Sequence, residues 1–198
     1  YGTGKAEPDS IEWPQPTPYN TDIEKAKALM AESSYPDGFE TTLAFDMGTK
    51  EWGEPMVVLM QEALAEIGIT VNIEKVPSAN FRSVLVEKSR PMIVNNFGGW
   101  LNYPDYFFFY AYHGQDATFN GSSYKNPEMD EKIEAALASA PGEAGDGENV
   151  ERFIAMALQE MPWVAGGQAT VSGASQPSLC GAQNTFHLQL DFRLSEKA

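Results

Sequence analysis

Apolar residues in the first half of the chain recur with two different periods. Between Ile23 and Met30, and again between Met56 and Ile67, they stand three or four positions apart, the spacing of an amphipathic helix. From 69 to 73 they alternate with polar residues, as in a half-buried strand. Because helical and strand patterns follow one another along the chain, the sequence predicts an α/β fold.

Capping and turn residues predict where these elements begin and end. Thr21, with Glu24 three positions later, forms a capping-box pattern and is expected to open the first helix. Gly68 is expected to end the second helix, because glycine readily adopts the left-handed cap conformation. Ser78 is expected to cap a third helix. Strands are predicted at 41–47, 69–73 and 92–97.

The remaining segments predict one lobe with two extensions. Four prolines within 1–19 predict an extended arm. Two more helical patterns, within 129–137 and 150–161, are joined by a polar, glycine-containing linker, and strands are predicted at 163–172 and 185–192. We therefore expect an arm over 1–19, an α/β lobe over 20–184 and a C-terminal strand and tail over 185–198.

Aromatic residues are concentrated in one short segment. Nine of the chain's 11 Phe, 4 Trp and 8 Tyr lie between Phe97 and Tyr112. Pro104 suits the first position of a helix, so a helix is predicted to begin at Pro104-Asp105. Since this helix would be aromatic on every side, it must be buried or border a cleft.

The stretch before that helix is the best candidate for a binding site. Gly98 and Gly99 allow the backbone to bend and approach a ligand closely. Trp100 offers a rigid apolar face and one hydrogen-bond donor, its indole N–H. Asn102 and Asp105 add polar groups. In α/β proteins, ligands bind in loops at the carboxyl ends of strands, which is where this stretch is predicted to lie.

Charge excludes several classes of partner. The chain of 198 residues has 13 Lys and Arg against 28 Asp and Glu, a formal net charge of −15. Nucleic-acid binding and attachment to acidic membranes both need clustered basic residues, so neither is expected. No apolar run reaches the roughly 20 residues of a membrane span. The first residue is Tyr1, which suggests a processed, excised or mid-protein start. The single Cys180 permits no intrachain disulfide.

Enzyme chemistry has little support in this sequence. The two histidines, His113 and His187, lie near no recognisable nucleophile motif, and no phosphate loop, dinucleotide fingerprint or metal motif is present. We expect no catalytic residues, no metal and no cofactor. Two alternatives stay open: a small α/β hydrolase-like enzyme that uses acidic residues with His113 as base, and an interaction module that docks through exposed aromatic residues.

Six segments, in the same order, resemble the C-terminal lobe of the family 5 extracellular solute-binding proteins, the dipeptide, oligopeptide and nickel receptors of ABC importers. Each segment is weakly specific alone, but together they span nearly the whole chain. They are Asn20–Phe39 with its Lys-Ala-Lys and Tyr-Pro-Asp-Gly-Phe sequences, Gln61–Val76, the loop Gly98-Gly99-Trp100 to Tyr103-Pro104-Asp105, Tyr124–Asp130, Glu160–Trp163 and Leu190–Arg193.

The resemblance implies a fold and a function. It implies a periplasmic-binding-protein-like lobe of type II, with a mixed sheet flanked by helices. It further implies an extracytoplasmic, periplasmic receptor that closes two lobes on a small-molecule or peptide solute and delivers it to the membrane subunits of an ABC importer. The N-terminal lobe would lie outside this chain, and the tail at 185–198 would cross to it.

The predicted ligand-binding residues lie in the loop and at its ends: Asn96, Phe97, Gly98, Gly99, Trp100, Asn102, Tyr103 and Asp105. The peptide-binding members of the family carry an acidic residue shortly after the Gly-Trp pair, which receives the α-amine of the ligand. This chain has the neutral Asn102 there, and Asp105 would supply the charge only if the loop curls back. A neutral or sugar-like solute and a peptide derivative therefore stay open.

Overall fold

The computed structural model describes residues 19–96, 104–115, 119–139 and 146–166 and four two-residue strands. The chain divides into two compact units, the first formed by 17–97 and 114–125 and the second by 1–16, 98–113 and 126–198. The helices are α1 Ile23–Glu32, α2 Lys50–Ala65, α3 Ser78–Glu87, α4 Pro104–Tyr112, α5 Pro127–Ala138 and α6 Asp146–Glu160. The strands are β1 Phe39–Asp46, β2 Ile69–Val76, β3 Met92–Val94, β4 Leu179–Cys180, β5 Gln183–Asn184, β6 Leu190–Asp191 and β7 Glu196–Lys197.

The first unit is built on a parallel sheet of three strands. Its order is β2-β1-β3, and both outer strands run parallel to the central β1. Helices connect successive strands, as parallel pairing requires. This arrangement confirms the predicted α/β class, with a sheet flanked by helices.

Two glycines set the register in which β1 and β2 begin. Gly38 has a φ of +88° and Gly68 a φ of +84°, and each stands immediately before its strand. The strands start in register, with Phe39 beside Ile69. A Cβ atom on Gly38 would lie 1.9 Å from the carbonyl oxygen of Gly68. The backbone segments that lead into β1 and β2 therefore approach more closely than any side chain at Gly38 would allow.

Helix α2 covers one face of the sheet. The buried residues between them are Leu43, Phe45, Val57, Ile69 and Val71, and Met60 and Leu64 of the helix pack around these five. Gly53 lets the helix lie close to the sheet, because a Cβ there would be 3.1 Å from the ring of Phe45. Burying such side chains is the main stabilisation of this unit, at roughly 1.5–3 kcal/mol for each large residue.

The opposite face of the sheet packs against α3. Its core is smaller and consists of Ala44, Val76 and Phe81, with Val84 and Ile93 partly buried beside them. An ion pair also forms on this face: the Arg90 guanidinium donates to both carboxylate oxygens of Glu74, at 2.5 and 2.7 Å. At the open edge of β2, the amide of Gln61 donates to the carbonyl oxygen of Val71 at 2.6 Å, which satisfies one edge acceptor.

The Glu74–Arg90 pair predicts a specific acid sensitivity. Hydrogen bonding to the Arg90 guanidinium lowers the pKa of the Glu74 carboxyl from its ordinary 4.5. The stability it contributes is therefore fully present above about pH 4.5 and is lost as pH falls through the lowered folded-state pKa. We expect Glu74→Gln to lose up to about 1 kcal/mol near neutral pH and to unfold with a weaker acid dependence, since the side chains are 34% and 32% exposed.

Urea unfolding at several pH values between about 3 and 7 measures this effect. Glu66→Gln is the matched control, because Glu66 is an exposed carboxylate directly after α2. An acid dependence of Glu74→Gln identical to that of the unsubstituted protein would contradict the assignment.

A buried asparagine organises the turn at 119–125 in the first unit. Asn120 is 1% exposed, and its amide donates to the Tyr124 carbonyl oxygen at 2.7 Å. Its side-chain oxygen accepts from the Tyr124 N–H at 3.1 Å and from the Ser122 hydroxyl at 3.3 Å. Because buried polar groups are costly unless they are hydrogen-bonded, these contacts hold one conformation of the turn.

In the described part of the second unit, α4, α5 and α6 pack together. The aromatic helix begins at Pro104 as predicted, and Phe108 lies against Phe153 of α6 with ring centroids 4.1 Å apart. Phe108 and Tyr112 are buried, whereas Phe107, Phe109 and Tyr110 are half-buried. Two of the five described aromatic side chains of α4 therefore belong to a helical core, and the other three lie at its margin. The buried residues of this core are Phe108, Ala111, Tyr112, Met129, Ile133, Ala136, Val150, Phe153, Ile154, Ala157 and Leu158.

Several predicted boundaries and caps were wrong in detail. Asp22, not Thr21, caps α1, since its carboxylate accepts from the Lys25 N–H at 2.9 Å. Ser78 does not cap α3, because Pro77 occupies the cap position and the Ser78 hydroxyl has another partner. Strand β1 covers 39–46 instead of 41–47, and β3 ends at Val94 instead of residue 97.

The C-terminal part was predicted as two long strands. The structure places no strand over 163–166, and the rest of 163–172 lies outside the described residues. Farther on it has short antiparallel pairs, β4 with β7 and β5 with β6. The division into arm, lobe and tail stays a prediction.

No helix in the described ranges has the length and apolarity that crossing a membrane requires.

Candidate functional site

The three strands of the sheet end together at one edge. Asp46, the last residue of β1, pairs with Val76 of β2, and Phe45 pairs with Val94 of β3. Because the strands are parallel, the residues that follow them lie along the same edge. Polar residues are among them: Ser78 comes two positions after β2, and Asn95 and Asn96 follow β3.

The carboxylate of Asp46 is held in position at this edge. Its Oδ1 atom accepts from the Gly48 N–H at 2.8 Å and from the Ser78 hydroxyl at 2.6 Å. Its backbone oxygen accepts from the Thr49 hydroxyl at 2.9 Å. Within the described part of the chain, Oδ2 makes no hydrogen bond, so it remains available as a charged acceptor. Two donors therefore orient a half-buried carboxylate whose second oxygen is unused.

Gly48 is required for this close arrangement. A Cβ atom on Gly48 would lie 2.6 Å from the Ser78 hydroxyl oxygen and 3.2 Å from Oδ2 of Asp46. Any larger residue would have to displace the hydroxyl from the carboxylate. The short helical turn Met47–Thr49 thus brings its backbone N–H directly to Asp46.

The structure places only part of the predicted loop. Asn96 is exposed and follows β3 at the carboxyl edge of the sheet, outside the strand in which it was predicted. Asp105 belongs to the first turn of α4. Its side chain is outside the described atoms, and so are all the predicted residues between these two: Phe97, Gly98, Gly99, Trp100, Asn102 and Tyr103. Their assignment to a ligand site therefore stays a prediction.

Asp46 and Ser78 were not among the predicted site residues. A signal for Asp46 was present, because this carboxylate directly follows the apolar run Leu43-Ala44-Phe45 and so ends a buried strand. The partner Ser78 is 32 positions away, and only the pairing of β1 with β2 brings the two together.

His113 lies at the end of α4, beside acidic residues of α5. Its side chain is 14% exposed, with Nε2 3.4 Å from a carboxylate oxygen of Glu134 and Nδ1 3.9 Å from one of Asp130. The ring also contacts Phe109, with centroids 4.9 Å apart. These contacts support a structural role in joining the two helices. No cluster of three or more potential metal ligands occurs among the described residues.

A protein-family model identifies the class of protein. Residues 2–119, more than half of the chain, match the model of the bacterial extracellular solute-binding proteins, family 5 (middle region). The chain therefore belongs to this family, and the resemblance found in the sequence is confirmed. A search of curated proteins finds no significant match.

Solved structures with the same fold include several binding proteins. A periplasmic binding protein, DppA from Helicobacter pylori in complex with the peptide STSA, is 25% identical over 73% of this chain, with a TM-score of 0.60. A dipeptide-binding protein from Pseudoalteromonas sp. SM9913 with bound Met-Leu matches 89% of the chain at 20% identity and a TM-score of 0.68. The oligopeptide-binding protein AppA from Bacillus subtilis with a bound nonapeptide matches 80% at 22% identity and a TM-score of 0.65.

The matches cover a minor part of those proteins. The chain spans 28%, 36% and 33% of the three relatives, respectively. Family membership points to a binding protein and not to an enzyme, and the family is extracellular by its description. The predicted periplasmic-binding-protein-like fold is confirmed by these structures.

Proposed function

We propose that the complete protein is the periplasmic solute-binding component of an ABC importer and that this chain contributes one wall of its solute site. Membership of the family supports the proposal. The observation that carries it is the convergence of Asp46, Ser78 and Asn96 at the carboxyl edge of the parallel sheet. The loop predicted to bind the solute begins at this edge, because Asn96 is its first residue.

The roles of the loop residues follow from their chemistry. Trp100 provides an apolar platform, while Asn102 and Tyr103 orient polar groups of the solute. Gly98 and Gly99 allow the backbone to approach it. In the sequence, Asn96 and Phe97 precede Trp100, and Asp105 follows it in the first turn of α4.

Asp46 adds a negative charge to this set. Asn102 is neutral, so the loop lacks an acidic residue directly after its Gly-Gly-Trp sequence. Oδ2 of Asp46 supplies a charged acceptor at the same edge of the sheet, already oriented by hydrogen bonds to Oδ1. A charge-assisted hydrogen bond is roughly twice as strong as a neutral one. We therefore propose a solute that carries a donor or cationic group, such as a peptide or a peptide derivative.

The rest of the proposed receptor follows from the family. An N-terminal lobe outside this chain faces the carboxyl edge, the segment at 185–198 crosses to that lobe, and 20–184 forms the present lobe with the arm at 1–19 before it. The partners are the solute and the membrane subunits of the importer. No catalytic step, cofactor or nucleic acid is involved in this proposal.

Native mass spectrometry of the complete receptor tests the proposal. We expect a mass above that of the polypeptide when a solute is retained, and the excess mass limits the identity of the solute. Apo receptor is then mixed with the peptide Ser-Thr-Ser-Ala and with the dipeptide Met-Leu, the ligands of two structural relatives. A receptor that retains no solute and binds no member of a wider panel of peptides and peptide derivatives would contradict the proposal.

Asp46→Asn tests the added acceptor. Asparagine keeps an oxygen to accept from Gly48 and Ser78 but loses the charge, so we expect about fivefold weaker solute binding without loss of the fold. Asp37→Asn is the matched control, because Asp37 is exposed before the opposite, amino end of the same strand. Titration calorimetry measures both variants with the solute that mass spectrometry identifies. Equal affinity of Asp46→Asn and unsubstituted receptor removes Asp46 from the site.

A further inference from the structure

The turn at 119–125 contains the chain's single Asn-Gly sequence, Asn120-Gly121. Asparagine is a thermolabile residue, because its side-chain amide can be lost as ammonia. A glycine in the next position makes this loss easiest, since no Cβ atom hinders its backbone N–H from reaching the asparagine side chain. The proposed solute site does not use this turn.

Deamidation at such a sequence has two steps. The backbone nitrogen of Gly121 attacks the side-chain carbonyl carbon of Asn120, and the side-chain –NH2 leaves as ammonia with the proton from the attacking nitrogen. The product is a cyclic succinimide, which water then opens at either of its two carbonyl groups to give aspartate or isoaspartate. The net change exchanges an amide for a carboxylic acid, which ionises, while water is consumed and ammonia is released. The reaction therefore needs a mobile Asn120 side chain, a free Gly121 N–H and access for water.

The native turn restrains both the leaving group and the nucleophile. Nδ2 of Asn120, which would leave, donates to the Tyr124 carbonyl oxygen at 2.7 Å, and Oδ1 accepts from the Tyr124 N–H at 3.1 Å and the Ser122 hydroxyl at 3.3 Å. The Gly121 N–H, which would attack, donates to the Phe119 carbonyl oxygen at 2.9 Å. Asn120 is only 1% exposed, so its amide is also shielded from water. The closed turn thus meets none of the three requirements.

The product of the reaction does not fit the closed turn. An aspartate at 120 has no N–H to donate to Tyr124, so two acceptors would face one another where the 2.7 Å hydrogen bond now forms. The site is buried, and burying a carboxylate is costly unless the charge is paired. Isoaspartate lengthens the main chain within the turn as well. Once the amide is lost, the turn therefore cannot close as before.

We propose that Asn120 is a site of spontaneous deamidation that the native fold keeps closed. Modification proceeds through local openings of the turn at 119–125, which break the hydrogen bonds between Asn120 and Tyr124 and admit water. The acidic product then holds the turn open, so each molecule that reacts leaves the native population irreversibly. This inference does not depend on the proposed function or on the identity of the solute.

Peptide mass spectrometry of the complete protein measures the reaction, because the amide and the acid differ in mass. The protein is incubated at mildly alkaline pH, once in its native state and once in urea. We expect deamidation at Asn120 to be at least about 100-fold slower in the native state, since only the rare open turn reacts. Equal rates in the two solutions would show that the fold gives no protection, and no reaction in urea would show that the sequence is not labile. Either result overturns the proposal.

Two serine variants test whether the turn itself must open. Ser122→Ala removes the hydroxyl donor to Oδ1 of Asn120, and we expect native deamidation about threefold faster. Ser123 has a φ of +54°, so Ser123→Gly relieves backbone strain and should slow native deamidation about threefold. In urea both variants should react at the rate of the unsubstituted protein. A native rate that neither variant changes would overturn the proposal.

Ser33→Ala is the matched control for these variants. It removes a hydroxyl that donates to the Met30 carbonyl oxygen at 2.7 Å, in the same unit but outside the turn. We expect it to leave native deamidation at Asn120 unchanged. Acceleration as large as that of Ser122→Ala would show that the reaction waits for the whole unit to unfold, and local opening would be wrong.

Asn120→Asp tests whether the product prevents closure. It places the carboxylate in the turn from the start, and we expect a lower urea midpoint for the complete protein. Asn80→Asp, which adds the same charge at an exposed position of α3, should keep the midpoint of the unsubstituted protein. An unchanged midpoint for Asn120→Asp would show that the turn accommodates the carboxylate, and the irreversible step would be refuted.

Discussion

Replacing Gly38 with alanine is expected to destabilise the first unit by about 3 kcal/mol or more. Two costs add at this position. The φ of +88° costs an L-residue roughly 1–2 kcal/mol. The new methyl group would also lie 1.9 Å from the Gly68 carbonyl oxygen, so β1 and β2 would have to separate where they begin. Denaturant unfolding of the complete protein measures the loss.

Gly68→Ala separates the two costs. Its φ of +84° carries the same backbone strain, but its nearest contact would be 3.5 Å away, an ordinary van der Waals distance. We expect a loss of only about 1–2 kcal/mol there. If the two variants lose the same stability, the close approach of the strands contributes nothing and the steric argument is wrong.

Replacing Trp100 with alanine in the complete receptor is expected to weaken solute binding at least tenfold, about 1.4 kcal/mol. The indole is the largest apolar surface in the predicted loop, and its removal leaves the solute without a platform. Titration calorimetry measures the change. We expect Trp100→Phe to recover part of the affinity, because it keeps an aromatic face but loses the indole donor.

Trp52→Ala controls for the general cost of losing a tryptophan. Trp52 is 41% exposed on α2 and is not one of the predicted loop residues, so its removal should leave solute affinity unchanged. If Trp100→Ala binds the solute as tightly as the unsubstituted receptor does, Trp100 is not part of the site.

The helices and strands of the first unit were largely predictable because their side chains repeat with clear periods. Ile69, Val71 and Ile73 alternate with polar residues, and all three lie in β2. The aromatic helix begins at Pro104, as the fixed φ of proline suggests. The ends were less predictable, since Asp22 and Thr21 are both good capping residues and only the backbone path selects Asp22.

The candidate site, too, was predictable only in part. A Gly-Gly-Trp sequence after a predicted strand marks a candidate loop without any structure, and the family resemblance that contains it is confirmed by the family model. Asp46 could not be proposed from the sequence, because the orientation of its carboxylate depends on two contacts, one with Gly48 and one with Ser78. The second joins residues 32 positions apart, and periodicity along one strand carries no information about such a pair.

The amino-acid sequence by itself determined the α/β class, most of the elements, the acidic charge and the family of this protein. These properties depend on local spacing and on short segments in a fixed order. Tertiary structure alone decided that Gly38 lies against Gly68, that Ser78 bonds Asp46 instead of capping its helix, and which side of α2 remains exposed. The reason is physical: each of these outcomes depends on how one strand or helix packs against another, and that packing is settled by long-range register and burial.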